Sequence, residues 1–385
     1  MFVNPLARIV GGLLRGSRIP LDPPTFSPHI NLMFLKRCFV FVLAPILLAG
    51  CACHSPGRHE KRKGDEIVAA GQFFHTGTPV VLWMDPGGYD AYRVERRFAP
   101  FDESDFESSR PDLDSPGTPN RYDIRQRNLT PAQLERVRGG GWDLPTLQSN
   151  IDQFVLHFDV AGTSQNCFKA LQDKRDLSVH FMLDLDGTIY QTLDLKERAR
   201  QASIANTRSV GVEIANLGAY AATENSPLPN WYRKDPWDRT IITLPKQRVP
   251  PPQRTPHFAP RPARRKLITG EVRGQQLSQY DFTPQQYRAL AKLTASLCAI
   301  FPRLNCDYPR DPDGKLVTHA LTADQFRDYH GVLGHYHIQT NKVDPGPALQ
   351  WDYVIGEARR WLKLAPRPTT DGQPAASHPK LRIDN

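Results

Sequence analysis

Residues 334–344, GHYHIQTNKVD, place two histidines, a lysine and an aspartate within eleven positions. Imidazole nitrogens and carboxylate oxygens are ligands of Zn²⁺, and a catalytic zinc usually takes three protein ligands and keeps one open position. The stretch offers His335, His337 and Asp344 as possible ligands, with Lys342 as a nearby cation. It therefore predicts part of a metal site, and the rest of the chain must supply a further ligand and a base.

Two further candidates stand in apolar runs upstream. Residues 154–157 form a continuous apolar run that ends in His157, which is typical of a buried strand. Residues 210–216 form a second run with a single acid, Glu213. A buried carboxylate is costly unless it is paired or used, so Glu213 is a candidate for acid–base chemistry. A structural role for His157 and an ion pair for Glu213 with a nearby Arg or Lys remain open at this point.

These candidates need elements that hold them together. Apolar residues alternate at 179, 181 and 183 and predict a strand, and Asp186-Gly187 predicts a hairpin turn. Thr130 and Thr283, each followed by proline and by glutamine three residues on, predict helix starts with capping boxes. The order of elements over 150–363 predicts an α/β fold, a mixed central β-sheet flanked by helices.

Composition limits the possible partners. The length of 385 residues suggests two domains or one domain with insertions, and the 35 prolines point to long non-regular segments. The net charge is +9. The charge favours anionic partners such as nucleic acid, a membrane surface or cell wall, but a basic cluster at 246–266 explains it equally well. No nucleic-acid-binding signature is present, so we expect no nucleic-acid partner. Cys298 and Cys306 could form a disulfide or remain buried thiols.

The amino-terminal region predicts export. Residues 33–53, MFLKRCFVFVLAPILLAGCAC, combine a basic start with an apolar run that is too short to span a membrane. The run ends in LLAGC, which resembles a bacterial lipobox, so that cleavage would leave Cys51 to carry a lipid. Ala52, in place of Asp, favours the outer membrane with the protein facing the periplasm. A plain signal peptide or an apolar core segment are the other interpretations.

The expected organisation follows from these segments. We expect a monomer. Its parts in chain order are a non-native upstream extension (1–32), a lipoprotein signal peptide (33–50), a tether (51–66), an N-terminal extension packing on the catalytic domain (67–149), the catalytic domain (150–363) and a disordered tail (364–385). The catalytic domain contains a Pro- and Arg-rich insertion (222–270) that could line one side of a cleft.

Taken together, the motifs resemble those of the zinc-dependent N-acetylmuramoyl-L-alanine amidases of the type 2 amidase and peptidoglycan-recognition superfamily. The resemblance covers roughly residues 150–363 and depends on these pieces in order: VLH at 155–157, SVHF at 178–181, DGTIYQ at 186–191, Asn206 before SVGVE at 209–213, and Gly334-His335 before KVDPGP at 342–347.

The resemblance implies a role for each of several residues. His157, His335 and Asp344 match the zinc ligands, Glu213 the catalytic glutamate, Lys342 the lysine that stabilises the transition state, and Asn206 and His180 are expected to bind substrate, with a structural role open for His180. The implied reaction is hydrolysis of the amide between the lactyl group of N-acetylmuramic acid and L-alanine of the stem peptide. Peptidoglycan or its muropeptides would be the partner.

Two departures from the family pattern stand out. Arg200-Gln201-Ala202 occupies the place where many relatives have an aromatic-His-Ala segment, which puts substrate contacts in question rather than the metal. The interval from His335 to Asp344 is one residue shorter than in the best-known members, so His337 is an alternative ligand. A peptidoglycan-recognition module without catalysis, or a zinc murein endopeptidase, are the competing functions.

Overall fold

The computed structural model describes residues 61–92, 121–221, 226–244, 254–373 and 378–384, and from Arg62 onward they belong to one unit. The predicted upstream extension, the signal peptide and Cys51 lie outside the described residues. Within the described part, no helix has both the length and the apolar character needed to cross a membrane.

The elements are short and alternate along the chain. The strands are β1 Glu66–Ala69, β2 Gln72–His75, β3 Val80–Leu82, β4 Tyr122–Ile124, β5 Gln153–Phe158, β6 Phe181–Leu183, β7 Ile189–Gln191, β8 Glu197–Ala199, β9 Ser209–Ile214, β10 Tyr232–Lys234, β11 Thr240–Ile242, β12 Ile268–Val272, β13 Gln275–Gln279 and β14 Gly331–Gly334. The helices are α1 Pro131–Arg138, α2 Leu144–Asn150, α3 Ser164–Lys174, α4 Leu228–Trp231, α5 Pro284–Ile300, α6 Ala323–Asp328 and α7 Trp351–Trp361.

A six-stranded sheet in the order β14-β5-β9-β6-β7-β3 is the centre of the fold. Four neighbouring pairs are parallel and β6–β7 is antiparallel, which confirms the predicted mixed sheet. One face packs against α5 and α7, and the other packs against α3. Because both faces are covered, β5, β6 and β14 are buried along nearly their whole length, as the apolar run at 154–157 indicated for β5.

Capping residues define the helix starts. Thr130 and Thr283 each accept a hydrogen bond from the backbone of the glutamine three residues on, and that glutamine closes the capping box. Both predicted helix starts are confirmed. In α5 the apolar face of the helix is buried against the sheet and α7, because its apolar residues recur at helical spacing.

Residues before 150 contribute to the same sheet. β1 and β2 form a hairpin, and β3 extends the central sheet as an edge strand parallel to β7. The tether predicted for 51–66 is wrong at its end, because Glu66 is buried at the start of β1 and its carboxylate accepts hydrogen bonds from the backbone of Lys63 and Gly64. The charged sequence of this segment gave no indication of the turn.

The described parts of the predicted insertion, 226–244 and 254–270, contain α4, the β10–β11 hairpin and the start of the β12–β13 hairpin. Trp231 packs against Gly162, where a side chain would meet its ring at 2.2 Å. An apolar group that includes Leu217, Leu228 and Tyr232 holds the segment to the end of β9. The short strands gave no periodic signal in the sequence, because each is only three to five residues long.

The tail predicted to be disordered is wrong for its described residues, 364–373 and 378–384. The Thr370 hydroxyl donates to Asp352 in α7 at 2.9 Å, and the Arg382 backbone N–H donates to the Gln350 side chain at 2.8 Å. Leu381 packs against the main core, and Pro379 lies over Gly356 of α7. These contacts are tertiary, so the polar sequence of the tail could not reveal them.

A truncation tests the packing of this tail. Ending the chain at residue 363 is expected to lower the free energy of unfolding by about 2–3 kcal/mol, since hydrogen bonds worth ~0.5–1.5 kcal/mol each are lost. Gly356→Ala provides the matched test. In the shortened chain it should stabilise α7 by up to about 1 kcal/mol through helix propensity. In the full chain the new Cβ lies 2.5 Å from Pro379 and the gain should vanish. Equal gains in both chains, measured by denaturant unfolding, would contradict a packed tail.

Candidate functional site

Three parallel strands bring the site residues side by side. In the β14–β5 register Gly334 lies opposite Leu156, so the following residues, His335 and His157, are neighbours at the same edge of the sheet. In the β5–β9 register His157 lies opposite Glu213. The carboxyl ends of parallel strands are the usual place for a binding site in such sheets. The hydrogen-bond ladder therefore places two histidines and the acid in one row.

Asp344 completes a group of three possible metal ligands. His157 Nδ1 and His335 Nδ1 are 3.0 Å apart, and Asp344 Oδ2 lies 2.8 Å from the first and 2.9 Å from the second. All three residues are buried, and their atoms form a compact group that could hold one ion. Burial, together with the neighbouring His335, lowers the pKa of His157, which favours the neutral imidazole that a metal requires. Two nitrogens and one carboxylate oxygen suit Zn²⁺ with an open fourth position.

The ligand group opens into a cavity of about 300 Å³. Glu213, Lys342 and Asp344 line it together with Gln201 and Arg175. Among the described residues, the ammonium of Lys342 and the guanidinium of Arg175 have no ion-pair partner. The sequence motifs thus meet in one polar cavity, and the described residues of the 222–270 insertion do not line it, contrary to expectation.

Glu213 has the surroundings of an acid–base group. Burial raises the pKa of its carboxyl well above the usual value, and the charges of Asp344 and Asp159 raise it further. Its Oε2 is shielded from solvent and has no hydrogen-bond partner among the described residues. Within the part of the chain that the structure describes, no Arg or Lys forms an ion pair with Glu213. The structure therefore does not support the alternative of a structural ion pair. An unpaired carboxylate facing a cavity is available to exchange a proton.

The structure corrects the substrate-binding prediction for His180. This side chain is fully buried, and its Nδ1 accepts from the Gly211 N–H at 3.2 Å while its Nε2 lies 3.0 Å from the Glu197 carbonyl oxygen. Burial and the charge of Arg125 lower its pKa to about 3. His180 does not line the cavity, and it is a structural residue between strands.

Asn206 is corrected in the same way. Its Oδ1 accepts from the backbone N–H of Gln201 at 3.1 Å and of Ala202 at 2.7 Å. It is buried, it does not line the cavity, and it fixes the backbone of the segment that carries Gln201. The prediction failed because the asparagine acts through this segment instead of facing the cavity.

His337 does not join this group of possible metal ligands. Its Nδ1 accepts from the Gly334 N–H at 2.8 Å, and its Nε2 donates to the Val317 carbonyl at 2.6 Å. Both nitrogens are thus occupied, and burial lowers the pKa of this histidine to about 3. The chain leaves β14 in a 3₁₀ turn at His335–His337, which turns the two histidines to different partners.

Sequence patterns did not predict a role for two glutamines that contact the candidate metal ligands. Gln201 contacts the outer nitrogen of His157, and Gln339 contacts the outer nitrogen of His335. A signal existed for Gln339, since it follows His335 by four residues and can share one helical turn with it. Gln201 stood out in the sequence only as part of the Arg200-Gln201-Ala202 departure from the family pattern, which did not reveal its contact with His157.

With the fold and the site described, the comparisons identify the class. The family profile described as N-acetylmuramoyl-L-alanine amidase matches residues 147–347, just over half of the chain, and the chain belongs to this family. No curated protein sequence matches it significantly.

Several solved structures resemble the chain at low identity. A selenomethionine derivative of AmpD is 16% identical over 64% of this chain and 90% of that one, with a TM-score of 0.27. The N-acetylmuramyl-L-alanine amidase AmiD from E. coli, solved with a substrate, is 18% identical over 54% and 57%, with a TM-score of 0.28. The endolysin amidase LysCS from Clostridium intestinale URNW is 15% identical over 57% and 88%, with a TM-score of 0.28.

Paired histidine variants test which ring binds metal. If His157, His335 and Asp344 hold a zinc ion, His335→Ala should abolish zinc binding, because it removes one of these three candidate ligands. His337→Ala should retain one zinc per chain but lower the free energy of unfolding by about 1–3 kcal/mol, since the Gly334 N–H and Val317 carbonyl lose their partner. Metal content by mass spectrometry and thermal unfolding separate the two effects. A His337→Ala protein that is folded but binds no zinc would show that the assignment of His335 rather than His337 as the ligand is wrong.

Proposed function

We propose that the protein is a zinc-dependent amidase that hydrolyses the bond between the lactyl group of N-acetylmuramic acid and L-alanine of the stem peptide, in cell-wall turnover or remodelling. Family membership supports the reaction. The observation that carries the proposal is the meeting of His157, His335 and Asp344 with Glu213 and Lys342 at one cavity.

The two imidazole Nδ1 atoms and Asp344 Oδ2 would hold the zinc. When bound, Zn²⁺ supplies a Lewis acid that polarises the scissile carbonyl and acidifies a water molecule. The proposed ligand set suits a Lewis acid, because one aspartate and two neutral histidines would leave the ion with a net positive charge. Asp344 Oδ2 lies 2.8 Å and 2.9 Å from the two Nδ1 atoms, so the three candidate ligand atoms converge on one point.

Glu213 would take the proton from the attacking water and pass it to the amide nitrogen that leaves as the amine of L-alanine. A raised pKa suits both steps, since the same carboxyl must accept a proton and then release it near neutral pH. Lys342 would stabilise the negative charge that develops on the carbonyl oxygen, because its ammonium lines the cavity without a fixed counter-ion among the described residues.

Arg175 extends this positive lining at the cavity. Stem peptides carry free carboxylates, so a cationic rim favours them over neutral peptides. Arg200 also lines the cavity, but its guanidinium is already paired with Asp123 at 3.2 Å. Substrate recognition would therefore rest more on Arg175 and Lys342.

The assignment of the base is tested by Glu213→Gln. This variant should keep its zinc and lose activity by about 10²–10⁴-fold, because general base catalysis is removed while the ligands stay. Glu271→Gln, on the exposed face of the β12–β13 hairpin, is the matched control and should keep full activity. Mass spectrometry of digested muropeptides gives the rate. Full turnover by Glu213→Gln would show that another group is the base.

The same digest separates the competing functions. Free stem peptides with intact glycan strands identify an amidase, and shortened peptides identify an endopeptidase. Unchanged wall with retained binding identifies a recognition module, a result that would refute the proposed catalysis.

We also propose that the mature chain is attached by a lipid on Cys51 to the outer membrane and faces the periplasm. Support comes from the sequence alone, through the basic start, the apolar run and the LLAGC motif. An acyl anchor would attach the domain beside its wall substrate without a membrane-spanning segment.

A cysteine variant tests this location. The full chain expressed in a Gram-negative host should fractionate with the outer membrane and gain the mass of a lipid on Cys51. Cys51→Ser should remain unlipidated, whereas Cys53→Ser, two residues on, should behave as the parent chain. Membrane attachment that survives Cys51→Ser would contradict the anchor.

A further inference from the structure

We propose that Gln201 and Gln339 are positioning residues for the metal, each holding the outer nitrogen of one histidine ligand so that the inner nitrogen faces the ion. The inference rests on the proposed zinc function and deepens it. The two contacts are alike: His157 Nε2 lies 2.5 Å from Gln201 Oε1, and His335 Nε2 lies 2.5 Å from Gln339 Oε1.

Each contact fixes the proton on its ring. The amide oxygen of glutamine only accepts, so the imidazole Nε2 must donate and carries the single proton of the neutral ring. Each Nδ1 then keeps its lone pair and faces Asp344 Oδ2. Three lone-pair atoms 2.8–3.0 Å apart with no proton between them repel one another, and a cation removes that repulsion. The glutamines thus select the tautomer that makes the group a metal site.

Gln201 is itself held from several sides. Its side-chain Nε2 donates to the hydroxyl of Ser209 in β9 at 2.8 Å, and Ser209 is fully buried. Its backbone N–H donates to Asn206. The amide lies over Gly211, where a Cβ would come within 2.6 Å of it, so the glycine makes room for the glutamine. The side chain therefore has little freedom to leave His157.

Gln339 is supplied by the same turn as its histidine. Its backbone N–H donates to the His335 carbonyl at 3.1 Å, which closes one helical turn and brings the two side chains together. Gln339 therefore adds no separate loop that must fold around the metal. The site thus uses one local glutamine and one from a different strand connection.

The choice of a carboxamide has a chemical consequence. Carboxylates and backbone carbonyls are the usual partners of zinc-bound histidines. A carboxylate in either place would add a negative charge close to the ion and weaken its pull on a bound carbonyl. The two glutamines provide the same acceptor without that charge. Asp344 is then the one anionic ligand of the proposed set, so a bound divalent ion would keep a net positive charge.

The test compares isosteric variants of the full chain. Gln201→Met and Gln339→Met keep the length of the side chain and remove the acceptor, and each should weaken zinc binding about 10–100-fold. Gln201→Glu and Gln339→Glu keep an acceptor and should bind zinc within a few-fold of the parent. Gln276→Met, exposed in β13, is the control. Zinc affinity is measured by competition with a chelator, and Co²⁺ absorption reports the geometry of the ligands.

Outcomes are distinguishable. Methionine variants that bind zinc and give the Co²⁺ spectrum of the parent would overturn the inference, as would glutamate variants that bind as weakly as methionine. Unfolding of the metal-free proteins shows whether a loss is local, because a positioning role predicts a change no larger than the lost hydrogen bonds explain. If the parent chain itself binds no zinc, the proposed function fails instead.

A double variant keeps the test independent of folding defects. Gly211→Ala should weaken zinc binding in the parent, since its Cβ displaces the Gln201 amide. In a Gln201→Ala background that space is free, and the same change should have no further effect on zinc affinity. Equal effects of Gly211→Ala in both backgrounds would show that the glycine acts elsewhere and that Gln201 does not transmit the change.

Discussion

The parallel pairing of β5 with β14 on one side and β9 on the other is the constraint on which the site depends. Neighbouring strands lie about 4.8 Å apart, and a slip of one residue would move every side chain of a strand to the opposite face of the sheet. The register is held by a largely apolar interior that includes Phe154, Leu156, Val212 and Val332, all without exposed surface. The site therefore takes its rigidity from the core, and the loop to Asp344 only has to close over a row that already exists.

This arrangement costs free energy. Glu213 has an unpartnered buried oxygen, and two imidazole nitrogens converge on Asp344 Oδ2. Unpaired buried polar groups each cost about 1–3 kcal/mol, and the large core around α5 and α7 offsets them. A metal that binds only the folded chain would return part of this free energy as stability. The unfavourable contacts thus mark the place where the fold gives up stability for chemistry.

The sequence alone was sufficient for the elements with local signals. Apolar runs predicted β5 and β9, capping boxes predicted α1 and α5, and family motifs brought His157, His335 and Asp344 into one hypothesis that the geometry supports. It failed where a residue acts through tertiary contacts. The burial of His180 and the packing of the tail depend on partners far away in the chain, so no window of sequence contains the cause.

Arg125 shows how such a distant partner shapes the site. It follows β4, outside the predicted catalytic domain, and is fully buried. Its guanidinium donates to backbone carbonyls between 195 and 209, namely those of Leu195, Asn206, Thr207 and Ser209. Burial lowers its pKa to about 9, which still leaves it charged at neutral pH.

The segment that Arg125 holds also carries Gln201, and Gln201 contacts His157. A residue of the N-terminal extension therefore supports His157 indirectly, through this segment. A lysine offers three donors at one point and could not span carbonyls spread over this segment, whereas the planar fork of arginine presents five. The β4–β8 pairing beside it brings the extension and this segment together. Residues before 150 therefore support the segment that carries Gln201, and the contacts behind the candidate site begin earlier in the chain than the motifs alone indicate.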